Sequence, residues 1–219
     1  MARKKSGRYA AKQFKESTQR IRDYLHEVDT AGLSDQAVTW AYEAALNKTH
    51  VAFEHLMEEC LIVALNNDPE SFSKAAGITF PKHMTEKVCQ YLVTGGKFFD
   101  YQGRGGLLGD ISKFTGGKKA RPQHYLYAAV QSPKYFHALE LLIGLRNYAA
   151  HESPQSKLVL RKAIVAHRLK ITTTPTDVQL AGTNAPTAAG AWLKRQKRFI
   201  YILDRLDALA DEIYQGAPY

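Results

Sequence analysis

The sequence predicts an all-α protein built as a helical bundle. Apolar residues recur at three- and four-residue steps through most of the 219 residues, which is the spacing of one face of an α-helix. No stretch alternates clearly between apolar and polar residues, as a half-buried β-strand would. The pattern indicates a single helical domain, divided into a basic arm with a first helix (residues 1–33), a helical core (34–170) and a connector with a C-terminal helix that packs on the core (171–219).

Start and stop signals place the helices of the first half. Ser34 has the hydroxyl of an N-cap, and Asp68-Pro69 combines a cap with a proline, which the first turn of a helix accepts. Gly95-Gly96 can take the left-handed conformation that ends a helix. The predicted helices cover about residues 8–28, 34–66 and 82–93, and another begins at Asp68-Pro69.

The second half begins with the least regular part of the chain. Residues 95–121 are rich in glycine and are predicted to be a long loop. Beyond them, prolines mark the starts of three helices, and a segment rich in threonine, proline and glycine reads as a connector. These helices begin at Pro122, at Ser132-Pro133 (running to His151) and at Pro154; the connector covers about residues 171–190, and a last helix runs from Ala191 to Gln215.

The charge balance favours a polyanionic partner. Thirty Lys and Arg against 21 Asp and Glu give a net charge of +9, which suits nucleic acid and equally suits simple solubility. The N-terminal 15 residues, with six basic groups and no acidic one, predict a flexible basic arm. No apolar run approaches the roughly 18 residues of a membrane span, and no secretory signal follows the arm. Cys60 and Cys89 lie in helical apolar patterns, which favours buried thiols in the reducing cytoplasm.

Several common sites do not fit the sequence. A P-loop needs a glycine five residues before its Gly-Lys pair, and Ser112 occupies that position before Gly117-Lys118. A di-iron bundle needs Glu-x-x-His on two helices, and no glutamate here is followed three residues later by a histidine. No cysteine spacing suits zinc, and no G-x-S-x-G elbow marks a serine hydrolase. No metal and no cofactor are therefore predicted.

A candidate site remains at the end of an apolar helix. The run "YFHALELLIGL" leads directly to Arg146 and Asn147, and His151 follows one turn later. Three arginine–histidine pairs with four to six residues between them occur in the chain, where about one is expected by chance, so spacing does not choose among them. The context favours Arg146 and His151, because a packed helix holds them rigidly at a tip that solvent can reach.

The helical geometry predicts how this site is assembled. At about 100° per residue, Asn147 and His151 lie about 40° apart on one face, so Asn147 is expected to orient His151. Arg146 and His151 lie about 140° apart, and one helix does not easily aim both at the same phosphate. Two copies related by a two-fold axis would do so. A homodimer with a shared site is predicted.

The stretch "LIGLRNYAAHE" resembles the R-N-x-x-x-H motif of HEPN domains, small helical bundles that dimerise and often act as metal-independent ribonucleases. "AYEAALNKTHVAFEHLMEECLIVALNND" and "TGGKFFDYQ" are similar to the long first core helix and the following loop of the RiboL-PSP-HEPN branch. The resemblance covers about residues 35–155. It implies a HEPN-like helical bundle with a long glycine-rich loop and extra C-terminal helices, in which Arg146, Asn147 and His151 are catalytic and Glu54 supports them.

These residue types suit cleavage of RNA through its own 2′-hydroxyl. Histidine serves as base or acid near neutral pH, and arginine offers a permanent charge and a fork of donors to the phosphorane oxygens. The products would be a 2′,3′-cyclic phosphate and a 5′-hydroxyl. We expect an endoribonuclease of the toxin or anti-phage kind, neutralised or activated by a partner protein. The alternative is a non-catalytic HEPN module that binds RNA or a protein.

Two basic clusters are candidate RNA contacts. The segment "WLKRQKRF" places four cations among aromatic residues at the start of the last predicted helix, an arrangement that suits single-stranded RNA. A second cluster lies beside the glycine-rich loop. An equally good interpretation is that the aromatics pack in the core and the cations form a solvated face. The predicted contacts are Lys194, Arg195, Lys197 and Arg198, together with Lys118 and Lys119.

Overall fold

The computed structural model describes residues 6–120, 123–171, 188–195 and 197–218, with the backbone alone for Lys119 and residues 167–171. Every regular element in these ranges is helical, which confirms the all-α prediction. Within the same ranges, no helix combines the length and the apolar character that a membrane crossing requires. The helices are α1 (Gly7–Thr30), α2 (Asp35–Asn67), α3 (Glu70–Ala76), α4 (Glu86–Thr94), α5 (Arg104–Thr115), α6 (Tyr125–Gln131), α7 (Phe136–His151), α8 (Pro154–Ile171), α9 (Ala189–Leu193) and α10 (Arg198–Gly216), with a 3-10 turn at Gly117–Lys119.

The chain divides into two compact units, each assembled from separate stretches of sequence. The predicted division of a single domain after residues 33 and 170 stays a prediction. The predicted helix start at Pro122, and residues 172–187 of the predicted connector, lie outside the described residues. The first unit contains Met1–Lys15, Ala52–Ser132 and Ala208–Tyr219, and the second contains Glu16–Val51 and Pro133–Asp207.

Aromatic rings form the centre of the first unit. Phe53 on α2 meets Phe14 and Tyr101 edge to face, with ring centroids 6.2 and 5.1 Å apart. This arrangement brings a ring edge against a ring face, where the quadrupoles attract, and all three side chains are almost fully buried. Cys60 and Cys89 are buried and unpaired in the same unit, and burial raises the pKa of Cys60 to about 12.

The glycine-rich segment is not all loop, because α5 occupies the middle of residues 95–121. Leu107, Ile111 and Phe114 are buried along one side of this helix. Their burial offsets the roughly 0.5–1 kcal/mol that each interior glycine costs a helix. The helix packs on α3 and α6, and Phe114 stacks on Phe72 with centroids 4.9 Å apart. The prediction of a continuous loop is therefore wrong over this stretch.

Arg104 connects the start of α5 to the end of α6. Its Nε donates to the carbonyl of Val130 at 2.9 Å, and its Nη2 donates to the carbonyl of Gln131. The last carbonyls of a helix have no partner inside the helix, so one guanidinium satisfies two of them. This contact fixes where α5 begins.

In the second unit, α7 packs against α8 and α9. Leu139, Leu142 and Leu145 of α7 are fully buried. Gly144 carries no side chain where the backbone of α8 passes, and a Cβ there would lie 3.5 Å from the Cα of Leu160. The helix that carries the candidate site is thus held by its neighbours along most of its length.

The predicted last helix, from Ala191 to Gln215, is interrupted. It consists of α9 and α10, and Lys197 between them has a φ of 55°, a left-handed conformation in which an α-helix cannot continue. Arg198 bridges the break. Its Nη1 donates to the carbonyl of Trp192 at 3.3 Å, and its guanidinium carbon lies 4.6 Å from the centroid of the Trp192 ring.

Candidate active site

The candidate catalytic residues lie on the last turns of α7. The buried face of the helix continues through Leu145 to Tyr148, which is 5% exposed. Arg146 and Asn147 lie beside this face and are partly buried, whereas His151, the final residue of the helix, is exposed. The expectation of a packed helix with an accessible polar tip is confirmed.

Arg146 is held by its neighbour in sequence. Its Nη1 donates to the Oδ1 of Asn147 at 3.1 Å, and neither side chain has another polar partner in the part of the chain that the structure describes. A guanidinium has five N–H donors, so most of them remain available to an incoming anion. Asn147 therefore orients an arginine whose fork is still largely unoccupied.

Asn147 was expected to orient His151, and the structure gives it a different partner. The asparagine amide bonds Arg146, and no hydrogen bond joins it to His151. The physical reason is reach: the long arginine side chain can fold back to its neighbour, while Asn147 and His151 are separated by a full helical turn. A shared face is not sufficient for contact when both side chains are short.

His151 is positioned by the end of the helix instead of by a side-chain partner. Glu152 caps α7 in the left-handed conformation, with a φ of 44°. Its backbone N–H donates to the carbonyl of Tyr148 at 2.9 Å. The imidazole has no hydrogen bond to any side chain of the described residues. The ring is consequently open to solvent at its exposed position.

Tyr148 fixes this helix end, a role that the sequence analysis did not assign. Burial, followed by the nearby negative charges of Glu152 and Glu43, raises the pKa of its hydroxyl. Its phenol thus stays neutral near pH 7. The signal was present in the sequence, because Leu141, Leu145 and Tyr148 continue one apolar face at steps of four and three.

Glu54, the expected supporting residue, belongs to the first unit, and the motif belongs to the second. Its Oε1 accepts the backbone N–H of Tyr101 at 3.0 Å. Tyr101 is buried against Phe53, so this bond anchors the chain just before α5. The observed role of Glu54 is local and structural, and its support of the motif stays a prediction.

The first basic cluster separates into two kinds of cation. Lys194 is mostly buried, and its ammonium donates to the carboxylate of Asp35 at 2.5 Å and to Thr39 Oγ1 at 3.1 Å. Arg198 is 6% exposed, and burial, together with the charge of Arg195, lowers its pKa. Its guanidinium is part of the α9–α10 break and does not face solvent, so Arg198 cannot meet a phosphate without local opening.

Arg195 and Lys197 remain exposed on the same segment, with no ion pair in the described residues. In the second cluster, Lys118 is exposed on the 3-10 turn. The side chain of Lys119 lies outside the described residues. Of the six predicted RNA contacts, three thus have an exposed side chain in the structure.

The described residues contain no group of three His, Cys, Asp or Glu side chains that could hold a metal ion. Comparison with family models, with curated proteins and with solved structures finds no match to this chain. The HEPN resemblance of the motif therefore stays a prediction, and the case for function depends on the residues themselves.

Proposed function

We propose that the chain is a metal-independent endoribonuclease of the HEPN type, which cleaves RNA to a 2′,3′-cyclic phosphate and a 5′-hydroxyl. The observation that supports this most directly is the end of α7. There, an arginine fork oriented by Asn147 and an exposed histidine follow a rigid, buried helix, and the histidine has no side-chain hydrogen bond within the described residues. A permanent cation and a titratable acid–base group are the two functions that this reaction requires.

The proposed reaction uses the nucleophile that RNA itself carries. The 2′-oxygen attacks the phosphorus while its proton passes to one His151. The bond from phosphorus to the 5′-oxygen breaks, and the His151 of a second copy gives a proton to that oxygen. Arg146 stabilises the negative charge on the equatorial oxygens, for which its planar fork is suited. Asn147 acts through Arg146 as a positioning residue.

Because the reaction uses one His151 from each of two copies, the proposal includes a homodimer. A single copy offers one histidine, and Arg146 and His151 leave the helix about 140° apart. A two-fold axis near the tip of α7 would bring two histidines and two arginines to one cleft. Light scattering should give twice the chain mass at micromolar concentration. A monomer that cleaves RNA would contradict the shared site.

The decisive experiment is cleavage of mixed RNA and tRNA by the purified chain in EDTA, with mapping of the product ends. His151→Ala should lower the rate by about 10²–10⁴-fold, the usual contribution of a proton-transfer group. Arg146→Lys should restore little of the activity lost in Arg146→Ala, because an ammonium lacks the planar fork. Arg20→Ala and His26→Ala are matched controls, since this exposed pair on α1 has a similar spacing.

Three outcomes would reject catalysis by these residues. They are loss of activity in EDTA, a folded His151→Ala variant that cuts RNA at the original rate, and an equal loss in the control variants. RNA binding without cleavage in the wild type would favour the alternative, a non-catalytic module that binds RNA or a protein partner.

We also propose that the enzyme acts in the cytoplasm as a toxin or anti-phage effector, restrained or triggered by a partner protein. An uncontrolled ribonuclease would be harmful to its own cell. Expression of the wild type alone should therefore slow growth, and either alanine variant should relieve the effect. Equal toxicity of wild type and His151→Ala would separate toxicity from cleavage and contradict this role.

A further inference from the structure

A second surface, at the end of α4, presents aromatic rings to solvent. Phe98 is 98% exposed and Tyr91 is 66% exposed, and Val88 one turn before Tyr91 is also exposed. Fully exposed phenylalanine is unusual in a folded chain, because burial of its ring is favourable. This surface lies in the first unit, and the proposed cleavage uses none of its residues.

The turn that carries Phe98 has a defined shape. Gly95 and Gly96 have φ values of 62° and 76°, which reverse the chain after α4. The N–H of Lys97 donates to the carbonyl of Thr94 at 3.2 Å, and the N–H of Gly96 donates to the Thr94 hydroxyl at 3.2 Å. Phe98 therefore follows a hydrogen-bonded turn.

The same turn supports the ring of Tyr91. A Cβ at Gly96 would lie 2.8 Å from Cε2 of Tyr91, so the glycine backbone lies directly against the tyrosine ring. Because the ring is nevertheless mostly exposed, its remaining surface is open. Tyr91 and the turn leading to Phe98 thus form one continuous local surface.

Two cations border these rings. Lys87 lies one helical turn before Tyr91, and Lys97 directly precedes Phe98; both are exposed and neither has a carboxylate partner in the described part of the chain. The acidic groups nearby in sequence are Glu86 and Asp100, and Asp100 accepts a hydrogen bond from Gln102 at 3.0 Å. The chain as a whole carries +9, which favours an anionic occupant.

We propose that Tyr91 and Phe98 form a stacking surface for the unpaired bases of a single-stranded nucleic acid, with Lys87 and Lys97 contacting its phosphates. Open π-faces beside unpaired cations are the two elements of recognition of single strands without sequence preference. A bound protein would bury the same rings but gives no role to Lys87 and Lys97. The surface would bind single strands even if the end of α7 were inactive.

The test measures binding to a labelled thymidine oligodeoxynucleotide of about 12 nucleotides, within the size of typical single-strand sites. Because this probe has no 2′-hydroxyl, it reports binding without cleavage. Phe98→Ala and Tyr91→Ala should each weaken binding by about 5- to 150-fold, the range for loss of one stacked base. Phe98→Leu should lose as much as Phe98→Ala, since leucine is apolar but has no π-face.

Charge and stacking are separated by two further measurements. An abasic oligomer of the same length should bind the wild type more weakly than the thymidine probe binds Phe98→Ala, because it loses the stacking on both rings. Lys97→Gln should lower the slope of log affinity against log salt by about 0.7, the value for one phosphate contact on a single strand. Tyr9→Ala is the control, because Tyr9 on α1 is 69% exposed, about as much as Tyr91, and lies outside the proposed surface.

The proposal is overturned if Phe98→Ala binds the thymidine probe as tightly as the wild type. Retention of affinity in Phe98→Leu, or equal weakening by Tyr9→Ala, would overturn it as well. Thermal unfolding should be the same for all these variants, because the altered side chains are exposed. If the wild type binds the thymidine probe but does not cleave RNA, the ribonuclease proposal is rejected and the proposed stacking surface is retained.

Discussion

The Nη1 of Arg146 donates to the Oδ1 of Asn147 at 3.1 Å, so the two polar residues in direct sequence form one structural pair. Asn147→Ala should lower the rate of RNA cleavage by about 10- to 150-fold, the effect of losing one hydrogen bond to a charged group. The measurement is a double-mutant cycle with Arg146→Ala. We expect the double variant to be no slower than Arg146→Ala alone, because Asn147 acts only through the arginine.

Additive losses in this cycle would show that Asn147 acts independently of Arg146. A shift in the pH profile of cleavage by Asn147→Ala would indicate that Asn147 acts through His151 and not through Arg146. Asn147→Asp is the conservative variant, and it should keep Arg146 in place through an ion pair.

The exposed cations of the α9–α10 segment should contribute to RNA binding, and the bonded Lys194 should not. Arg195→Gln with Lys197→Gln should weaken RNA binding and flatten its salt dependence by about 0.7 per lost phosphate contact on a single strand. Lys194→Gln should leave that slope unchanged, because its ammonium is already bonded to Asp35 and Thr39. Affinity measured across a salt series distinguishes these results, and an unchanged slope in the double variant would assign Arg195 and Lys197 to solubility.

His124 should make the protein less stable in acid. Burial lowers the pKa of His124 to about 4 from the usual 6.5, with Asp68 opposing the shift, and its Nδ1 accepts the N–H of Leu126 at the start of α6. Between these two pKa values the unfolded chain binds the proton that the folded chain excludes. Stability is therefore full above about pH 6.5 and falls as the pH drops toward about 4.

The size of this effect can be isolated by substitution. Between about pH 7 and pH 5, the wild type should lose about 2 kcal/mol more unfolding free energy than His124→Asn. Asparagine can still cap α6 but does not titrate. Chemical denaturation at both pH values provides the measurement, and parallel losses in the two proteins would contradict the assignment.

Gly190 and Gly105 should respond in opposite ways to alanine. A Cβ at Gly190 would lie 2.0 Å from the carbonyl oxygen of Thr39, so Gly190→Ala must displace α9 from α2 and should cost about 1–3 kcal/mol. Gly105, inside α5, has nothing within 4 Å of its Cβ position. Gly105→Ala should stabilise by up to about 1 kcal/mol.

Urea denaturation of both glycine variants measures these changes in unfolding free energy. Stabilisation of Gly190→Ala would mean that Gly190 does not pack against the Thr39 carbonyl. A destabilised Gly105→Ala would mean that α5 is not a regular helix at this point.

Local periodicity predicted the helices that bury a strong apolar face, and it failed where long-range contacts decide the structure. The ends of α2 and α7 follow from caps and apolar spacing near Ser34 and His151. The helix α5 was missed because glycine propensity argued against it, while the burial of Phe114 against Phe72 is visible only in three dimensions. The break before Arg198 is not visible in the periodicity for the same reason, since the Arg198 guanidinium bonds the Trp192 carbonyl across it.

Some features of the candidate site follow from the sequence, and others are visible only in the structure. The identity and order of Arg146, Asn147 and His151 come from the sequence, and so does their position at the tip of a buried helix. The pairing of Asn147 with Arg146 does not follow from helical angles, because it depends on a flexible arginine side chain. Likewise, charge alone could not show that Arg198 is buried and that Arg195 is exposed.

The environment of Trp192 gives the chain an internal optical probe. The sequence contains two tryptophans; Trp40 is 62% exposed, whereas Trp192 is 4% exposed beneath the Arg198 guanidinium. Iodide in solution should quench the emission of Trp40 and leave that of Trp192 largely untouched. In a Trp40→Phe chain, all remaining indole fluorescence would report whether the junction between α9 and α10 is closed.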